Sequence, residues 1–437
     1  MEIFLFYRGA FNFPPTWWWK NLTDICRRWR QIIFASPRFL DLQLKCTNKT
    51  PTRTSLDIWP PFPIRIFCHS WKLDDEGQDN IIAALEHHDR VTQIRIESSR
   101  LETYSALAQK PFPVLTYLDL RSSDTTAPVL HEEFLWGSTP RLQRFALHNI
   151  TFPTFPKFAL SCSSLSGLTL SRIPIAGYIS PEAMATCLAT LPNLRYLYIG
   201  FQSPRSPPNR IGLPPPTRAV LPELITFAFK GVSEYLEDLV ARIDTPKLDW
   251  LRIELFMDLM FNIPQLSKFI VRAEGTQSLY SAEIAFSSSA IEITFGHVKL
   301  EIIRRWPIYR EPDRQASSMA QVCSQLSPLL SHVEQLHIRD YMPVQERQRN
   351  GIDPTLFLEL FHPFPALQHL QISGELVPLV VRALQELTGE TATEVLPSLY
   401  SLVFKGSSPS GSMQKDIQGF ITARQNSDHP VHVEWEE

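Results

Sequence analysis

A short apolar word recurs along this chain and limits its fold more than any other feature. One copy is Leu194-Arg195-Tyr196-Leu197-Tyr198-Ile199; the pattern is Leu-x-x-Leu-x-apolar, usually with a proline two residues ahead of the first leucine. Copies begin at Leu115, Leu142, Leu165, Leu194, Leu224, Leu248 and Leu266, return at Val333, Leu367 and Leu399, and have a weaker forerunner at Val91. The last two apolar residues of a copy sit two apart, so they face one side of a strand. The proline fixes φ and cannot donate to a ladder, which suits a turn leading into that strand. One such strand cannot bury its own apolar face, whereas stacked copies bury a shared one.

Self-similarity of this kind is the mark of a leucine-rich repeat. The expected fold class is therefore α/β: an irregular leucine-rich-repeat solenoid, a horseshoe with a parallel sheet on its concave face. The irregularity shows in the spacing. From Val91 to Leu266 the steps are 24, 27, 23, 29, 30, 24 and 18 residues, and the later ones are 34 and 32. A regular horseshoe also places Asn or Cys just after the strand, where its side chain bonds turn backbone. Ser123, Ile150, Ile173 and Val232 stand in that neighbourhood here, so these turns are expected to satisfy their backbone differently.

A chain of 437 residues can bury a large core, and the repeats argue for one elongated body over several globules. The net charge of −3 gives no bulk electrostatic case for nucleic acid or membrane. No apolar run reaches the ~20 residues that span a bilayer, and the apolar start, Met1 to Arg8, lacks a basic region and a cleavage site. The six cysteines form no C-x-x-C pair and no zinc spacing. They read as free, mostly buried thiols in an intracellular compartment, cytoplasmic or nuclear. There the Asn-x-Ser/Thr triplets at Asn21, Asn48 and Asn149 would be silent.

Residues 1–16 are aromatic and proline-rich without a period. Leu22, Ile25/Cys26, Trp29 and Ile32/Ile33 then recur at helical spacing, with Lys20, Arg27, Arg28 and Arg30 off the stripe, up to Ser36 before Pro37. The run Ile25-Cys26-Arg27-Arg28-Trp29-Arg30, followed by Ala35-Ser36-Pro37-Arg38-Phe39-Leu40, resembles the second half of an F-box. With the repeats, the whole chain resembles the F-box/leucine-rich-repeat proteins of mushroom-type fungi. The resemblance implies a substrate receptor of a cullin–RING (SCF-type) ubiquitin ligase. Residues 1–45, with Cys26, Arg27 and Trp29 matching the motif, would face the small adaptor subunit, and the repeats of 46–437 would hold a protein substrate. The Leu-Pro-x-Glu-type helix that opens the family motif has no counterpart in residues 1–16. The alternative is a leucine-rich-repeat scaffold with no ligase connection.

Further along, Leu40–Leu44 and Ile64–Cys68 alternate as strands, residues 47–63 read as loop, and 79–88 as a short helix. The adjacent His87 and His88 do not face each other on a helix and read as surface. Pro181 to Leu191 is the best connector helix. The Pro-rich stretch 203–216 reads as an exposed loop. Near 279–297 two alternating runs flank Ser287-Ser288-Ser289, which indicates a β-hairpin insertion. A charged loop at 304–314 and a helix near 317–330 follow. A helix over 413–424, burying Ile417, Phe420 and Ile421, and a strand at Val431–Trp435 are expected to cap the array.

No phosphate loop, dinucleotide fingerprint, nucleophile elbow or H-E-x-x-H occurs, so no catalytic, cofactor or metal residues are assigned and the expected role is binding, not enzymatic. The repeat register singles out residues beside the apolar strand positions as the concave face. Those positions hold nine Lys/Arg against three Asp/Glu, a bias that favours an acidic partner. Tyr196, Tyr198, Lys230, Trp250, Arg252, Lys268 and Arg272 are the expected partner-binding residues. Exposed Tyr, Trp and Arg is hot-spot composition, and strands two apart bring the aromatics and Arg252 within roughly 10 Å.

Overall fold

In the computed structural model every copy of the word but one becomes a strand, and from Leu115 on the same turn leads into it. The first apolar residue donates its N–H to the carbonyl three residues back: Leu115 to Phe112 (3.3 Å), Leu142 to Thr139 (3.0 Å), Leu194 to Leu191 (3.2 Å), Leu248 to Thr245 (3.2 Å) and Leu367 to Phe364 (3.2 Å). Pro113, Pro140, Pro192, Pro246 and Pro365 occupy the second position of these turns, where their fixed φ is already correct. The next N–H goes to the preceding repeat, as in Gln143 to Thr116 (2.9 Å) and Asp249 to Ile225 (2.9 Å). The turn thus hands the chain straight into a parallel ladder.

The structure describes residues 23–35, 40, 42–69, 73–98, 101–108, 110–131, 133–137, 139–204, 217–256, 261–273, 280–287, 290–303, 312–341, 353, 355–387, 391–406 and 411–436. The aromatic N-terminus, Asn21, residues 36–39, the Pro-rich stretch 205–216 and most of the charged loop, 304–311, lie outside them. The chain forms two compact units: Met1–Ile179 with Thr186–Tyr198, and Ser180–Ala185 with Ile199–Glu437.

In the first unit, strands β1 (Leu42–Lys45), β2 (Ile64–Cys68), β3 (Val91–Glu97), β4 (Tyr117–Arg121), β5 (Arg144–His148) and β6 (Gly167–Ile173) pair in sequence order, all parallel. Strand β7 (Tyr196–Phe201) is divided between the units. Stacking therefore begins at β1, well before the first word. The apolar triplets at Leu115, Leu142 and Leu165 are all buried. Residues 47–63, expected to be loop, contain a helix, Thr52–Ile58, that buries Thr52 and Leu56 one turn apart. The next helix starts earlier than its expected span. It runs Asp75–Leu85, because Asp74 caps it by accepting from the Gly77 N–H at 2.9 Å.

Phenylalanine fills the core of the first unit where a longer connector helix would otherwise stand. Phe145 of β5 stacks on Phe155 (6.0 Å, 4° between planes) and tilts against Phe158 (5.1 Å), while Phe134 meets Phe152 edge-on (5.5 Å). Phe155 and Phe158 lie on a helix of only five residues, Phe155–Ala159. Asn149, one residue past β5, supplies the turn-bonding amide of a regular repeat. It is buried, and its Nδ2 donates to the carbonyls of Asp124 (2.7 Å) and Ser122 (3.3 Å). Its φ of 57° is the left-handed backbone that Asn tolerates better than most residues.

The second unit holds β8 (Thr226–Gly231), β9 (Trp250–Phe256), β10 (Ser281–Phe286), β11 (Ala290–Phe295), β12 (Val298–Ile303), β13 (Gln335–Asp340), β14 (His369–Ser373), β15 (Ser401–Lys405) and β16 (His432–Glu436). Their order is β8-β9-β12-β11-β10-β13-β14-β15-β16. The expected hairpin is one part of a three-stranded meander. Strand β12 follows the Gly296-His297 turn and pairs antiparallel to β11, and parallel to β9 on its other side. Strand β10 pairs antiparallel to β11 and parallel to β13. The meander is thus built into the sheet, its middle strand running backwards, and is no insertion.

The copy at Leu266 is the exception. It lies in a helix, Pro264–Arg272, that buries Leu266, Phe269 and Ile270 and leaves Val271 exposed. Spacings of three and four residues after a proline at the first turn are a helical signature, and here they override the word. Helices Pro312–Gln325 and Ser327–Leu330 occupy the expected helical region. At the end, helix Gly411–Asn426 buries Ile417 and Phe420 and leaves Ile421 half-buried. Its Arg424 is buried and donates to the carbonyls of Leu396 and Leu399, each at 2.8 Å. Strand β16 closes the sheet against β15. The architecture is mixed α/β: an irregular leucine-rich-repeat solenoid with sixteen mostly parallel strands in its main sheet and a separate parallel pair, Ala219–Val220 with Ile243–Asp244, among the described residues.

Candidate functional sheet face

Along most strands buried residues alternate with partly exposed ones, so the latter form a row on the solvent side of the sheet. In the first unit the strand positions of β1–β5 on that side carry Lys45, Arg65, Arg95, Arg121 and Arg144 against Glu97 and Asp119. In the second unit they carry Lys230, Arg252, Lys299, Arg339 and Lys405 against Glu254, Glu283, Glu292, Glu301, Glu434 and Glu436. The positive excess expected for the whole face therefore belongs to the first unit alone. The meander and β16 bring acidic residues that the repeat word did not mark.

Pairing follows the same division. Lys230 meets Glu254 at 3.0 Å, Arg252 meets Glu254 at 3.1 Å and Glu301 at 3.5 Å, and Lys299 meets Glu301 at 3.1 Å and Glu292 at 2.7 Å. This network crosses β8, β9, β12 and β11. Burial works against the charge of Lys299, but its bonds to the two carboxylates outweigh that and raise its pKa above the ordinary value. Arg339 pairs with Glu283 (3.3 Å) and Lys405 with Glu436 (2.8 Å). Trp250 stands at the start of β9 beside this network, 42% exposed.

The first unit is arranged around one carboxylate. The Asp119 side chain is only 1% exposed, although it lies on the solvent side of β4. Arg121 grips it with Nε and Nη2, each at 3.0 Å, Arg95 Nε lies 3.3 Å away, and the Tyr117 hydroxyl donates at 3.2 Å. His148 Nε2 stands 3.3 Å from Oδ1, and its Nδ1 bonds Ser171 Oγ. A carboxylate only accepts, so Nε2 carries a proton toward Asp119. Burial alone would raise the Asp119 pKa; the hydrogen bonds from His148 and Arg121, with their charges, win and hold it far below the usual carboxylate range. Asp119, His148 and Ser171 have the atom types of a nucleophile relay, but two guanidiniums already compensate the carboxylate, so it cannot reserve its charge for an imidazolium. The arrangement is suited to holding cations in place.

The residues singled out from the sequence fall as follows. Tyr196 (42% exposed) and the half-buried Tyr198 belong to the first unit. Lys230, Trp250 and Arg252 face solvent in the second. Lys268 and Arg272 are not on the sheet: both lie on the helix Pro264–Arg272, where Arg272 approaches Asp244 at 3.6 Å and donates to the Val240 carbonyl. Cys26 and Arg27 are exposed and Trp29 half-buried at the start of the helix Arg27–Phe34. That helix is shorter than the expected stripe, leaving Ile25 outside it and 58% exposed. His88, read as surface, bonds the Pro111 carbonyl at 2.7 Å. Asp119 holds an outward position in the repeat register, but no single segment marks it as a centre, because Arg95, Arg121 and His148 lie on β3, β4 and β5 in turn.

None of the six cysteines forms a disulfide, and all but Cys26 are buried. Burial pushes the thiols of Cys46 and Cys187 up to about 12, which makes them unreactive core groups. Among the described residues no cluster of His, Cys, Asp and Glu could hold a metal ion, and no helix is long and apolar enough to cross a membrane.

No family model and no curated protein matches the chain. Solved structures with some likeness include a TLR13–ssRNA13 complex, at 12% identity and a TM-score of 0.33 over 90% of this chain and 49% of that one. A protein from Bacteroides fragilis is 12% identical, with a TM-score of 0.19, over 70% of this chain and 64% of that one. The chain thus spans about half the length of the first.

Proposed function

We propose that this protein is an interaction module that binds a partner protein on the solvent side of its strands. The observation that carries the reading is the exposure of large aromatics there: Tyr196 and Trp250 are each 42% exposed at strand positions. Aromatic side chains left in water on a sheet face are typical anchors for a partner. The chemistry of the face supports binding over catalysis, since its ionisable groups are largely neutralised in pairs. Affinity capture tests this. Tyr196→Ala and Trp250→Ala, made separately, are expected to reduce recovery of a specific partner, while Lys157→Ala on the helical side leaves it unchanged. Equal recovery from all three would remove the face from the reading.

We further propose that the partner is the substrate of a cullin–RING ubiquitin ligase and that the module works inside the cell. Support comes from the Cys26-Arg27-x-Trp29 motif, whose Cys26 and Arg27 are exposed, and from the five buried thiols that form no disulfide, which suit a reducing compartment. Co-purification of the adaptor and cullin with the full chain, and its loss on deleting residues 1–45, is the expected result. Recovery of a partner without either ligase subunit would favour a plain leucine-rich-repeat scaffold.

A further inference from the structure

We infer that the first unit binds an acidic segment of a partner protein across β4–β6, with Asp119 as the hidden post that sets the receiving cations. This rests on the sheet-face reading above and names the chemistry of what is bound there. What a partner meets at this place is not the carboxylate. Asp119 is 1% exposed, while the side chains of Arg95 and Arg121 above it are 36% and 37% exposed. Arg121 uses Nε and Nη2 on Asp119, which leaves its remaining N–H donors for a second anion. Holding these long side chains before the partner arrives removes much of the ordering cost of binding.

The neighbouring strands leave room for a chain to lie down. Ala146 and Thr169 stand beside Asp119 in register, and Gly167 stands beside Arg144. All three are small, against the Arg, Tyr and His side chains around them. A Cβ added at Gly167 would already touch Arg144 Cγ at 3.4 Å. Arg144 is exposed at one end of the strip, and Arg121, His148 and Ser171 stand at the other. Four residues along a strand separate Arg144 from His148, about 13 Å. An extended peptide with carboxylates four residues apart matches that span. Glu97 stands beside Arg121 in register, so Arg95, Arg121 and Arg144 against Asp119 and Glu97 leave a small positive excess, which Lys45 and Arg65 on the same face extend. Guanidinium–carboxylate pairing then favours an acidic chain over a neutral one.

The test uses the full chain and a fluorescent octaglutamate peptide followed by anisotropy, with octaglutamine and a single-stranded octanucleotide as comparisons. Expected is saturable octaglutamate binding, weakened by salt, and about tenfold weaker in Arg144→Gln; Lys405→Gln on the second unit leaves it unchanged. Arg144 is exposed and holds no buried partner, so its loss spares the fold. The inference is overturned if octaglutamate does not saturate, if Lys405→Gln weakens it as much as Arg144→Gln, or if the octanucleotide binds more tightly through Arg144. Failure here with continued capture of a partner sensitive to Tyr196→Ala would overturn the acidic segment alone. Loss of both would overturn the binding face itself.

Discussion

Glu237 closes the amino end of the helix that contains Leu266: its two carboxylate oxygens accept from the backbone N–H groups of Gln265 and Leu266, each at 2.8 Å. The cap comes from another helix, Ser233–Arg242, and ties the two together. Burial pushes Glu237 up from 4.5 to about 7, against the two backbone bonds and Lys268, which pull it down. A carboxyl with a raised folded-state pKa binds its proton more tightly in the folded chain. Its contribution is complete below about 4.5 and is lost as pH rises through 7. The thermal midpoint is therefore expected to fall between pH 5 and 8. Glu237→Gln, which cannot titrate, should flatten that slope by on the order of 2 kcal/mol, allowing for the half-exposed group. Parallel pH curves for the two proteins would contradict this.

Asp119→Asn is expected to cost about 2–3 kcal/mol at pH 7, less than the loss of a fully buried ion-pair partner because Arg95 and Arg121 still reach water. The Asp119 pKa is depressed on folding, so its contribution is present above the ordinary carboxylate value and disappears as pH falls toward the folded one. Denaturant titrations of both proteins should thus converge below about pH 4. A gap that stays constant into acid would show that the charge is not the cause.

Removing the central ring of the phenylalanine cluster tests whether packing, not helix, stabilises that repeat. Phe145 is 1% exposed and contacts Phe152, Phe155 and Phe158. Phe145→Ala should cost about 3–5 kcal/mol in urea unfolding. Phe145→Leu, which restores the word found in neighbouring copies, should cost about 1–2 kcal/mol. Similar midpoints for all three proteins would mean the cluster is not cooperative with the fold.

Asn149 combines a left-handed backbone with two bonds from its amide to turn carbonyls. Asn149→Ala is expected to cost about 2–3 kcal/mol, from the unpaired carbonyls and the φ that alanine resists. Asn149→Gly should recover about 1 kcal/mol of that by relieving the backbone alone. If glycine proves no better than alanine, backbone strain contributes nothing at this position.

The repeat word was legible because it encodes a local event, a proline turn followed by two inward residues, and nothing distant is needed to form it. Where it failed, at Leu266, the same letters also fit helical spacing, and Pro264 with the short 18-residue step decided the matter. Strand β12 was readable in principle. Val298, Leu300 and Ile302 alternate behind a two-residue turn whose Gly296 has φ 52°, but the two runs flanking Ser287-Ser288-Ser289 satisfy the hairpin pattern without a third strand. Asn149 lay one position from where a regular repeat has its amide. The Asp119 cluster could not be read from any single segment. Arg95, Asp119, His148 and Ser171 are more than twenty residues apart in sequence at each step, and only the parallel register of β3 to β6 brings them together. The charge of the face was misjudged for the same reason, since Glu283, Glu292 and Glu301 come from strands outside the repeat pattern.

The most direct measurement places a photo-activated cross-linking residue at single positions and follows capture of the partner. Tyr196 and Trp250 face solvent on the strands, whereas Leu160 and Lys415 are exposed on the helical connectors. Cross-links to one partner from positions 196 or 250, with none from 160 or 415, are expected if the strand face is the binding surface. Cross-links from the helical positions alone would contradict it.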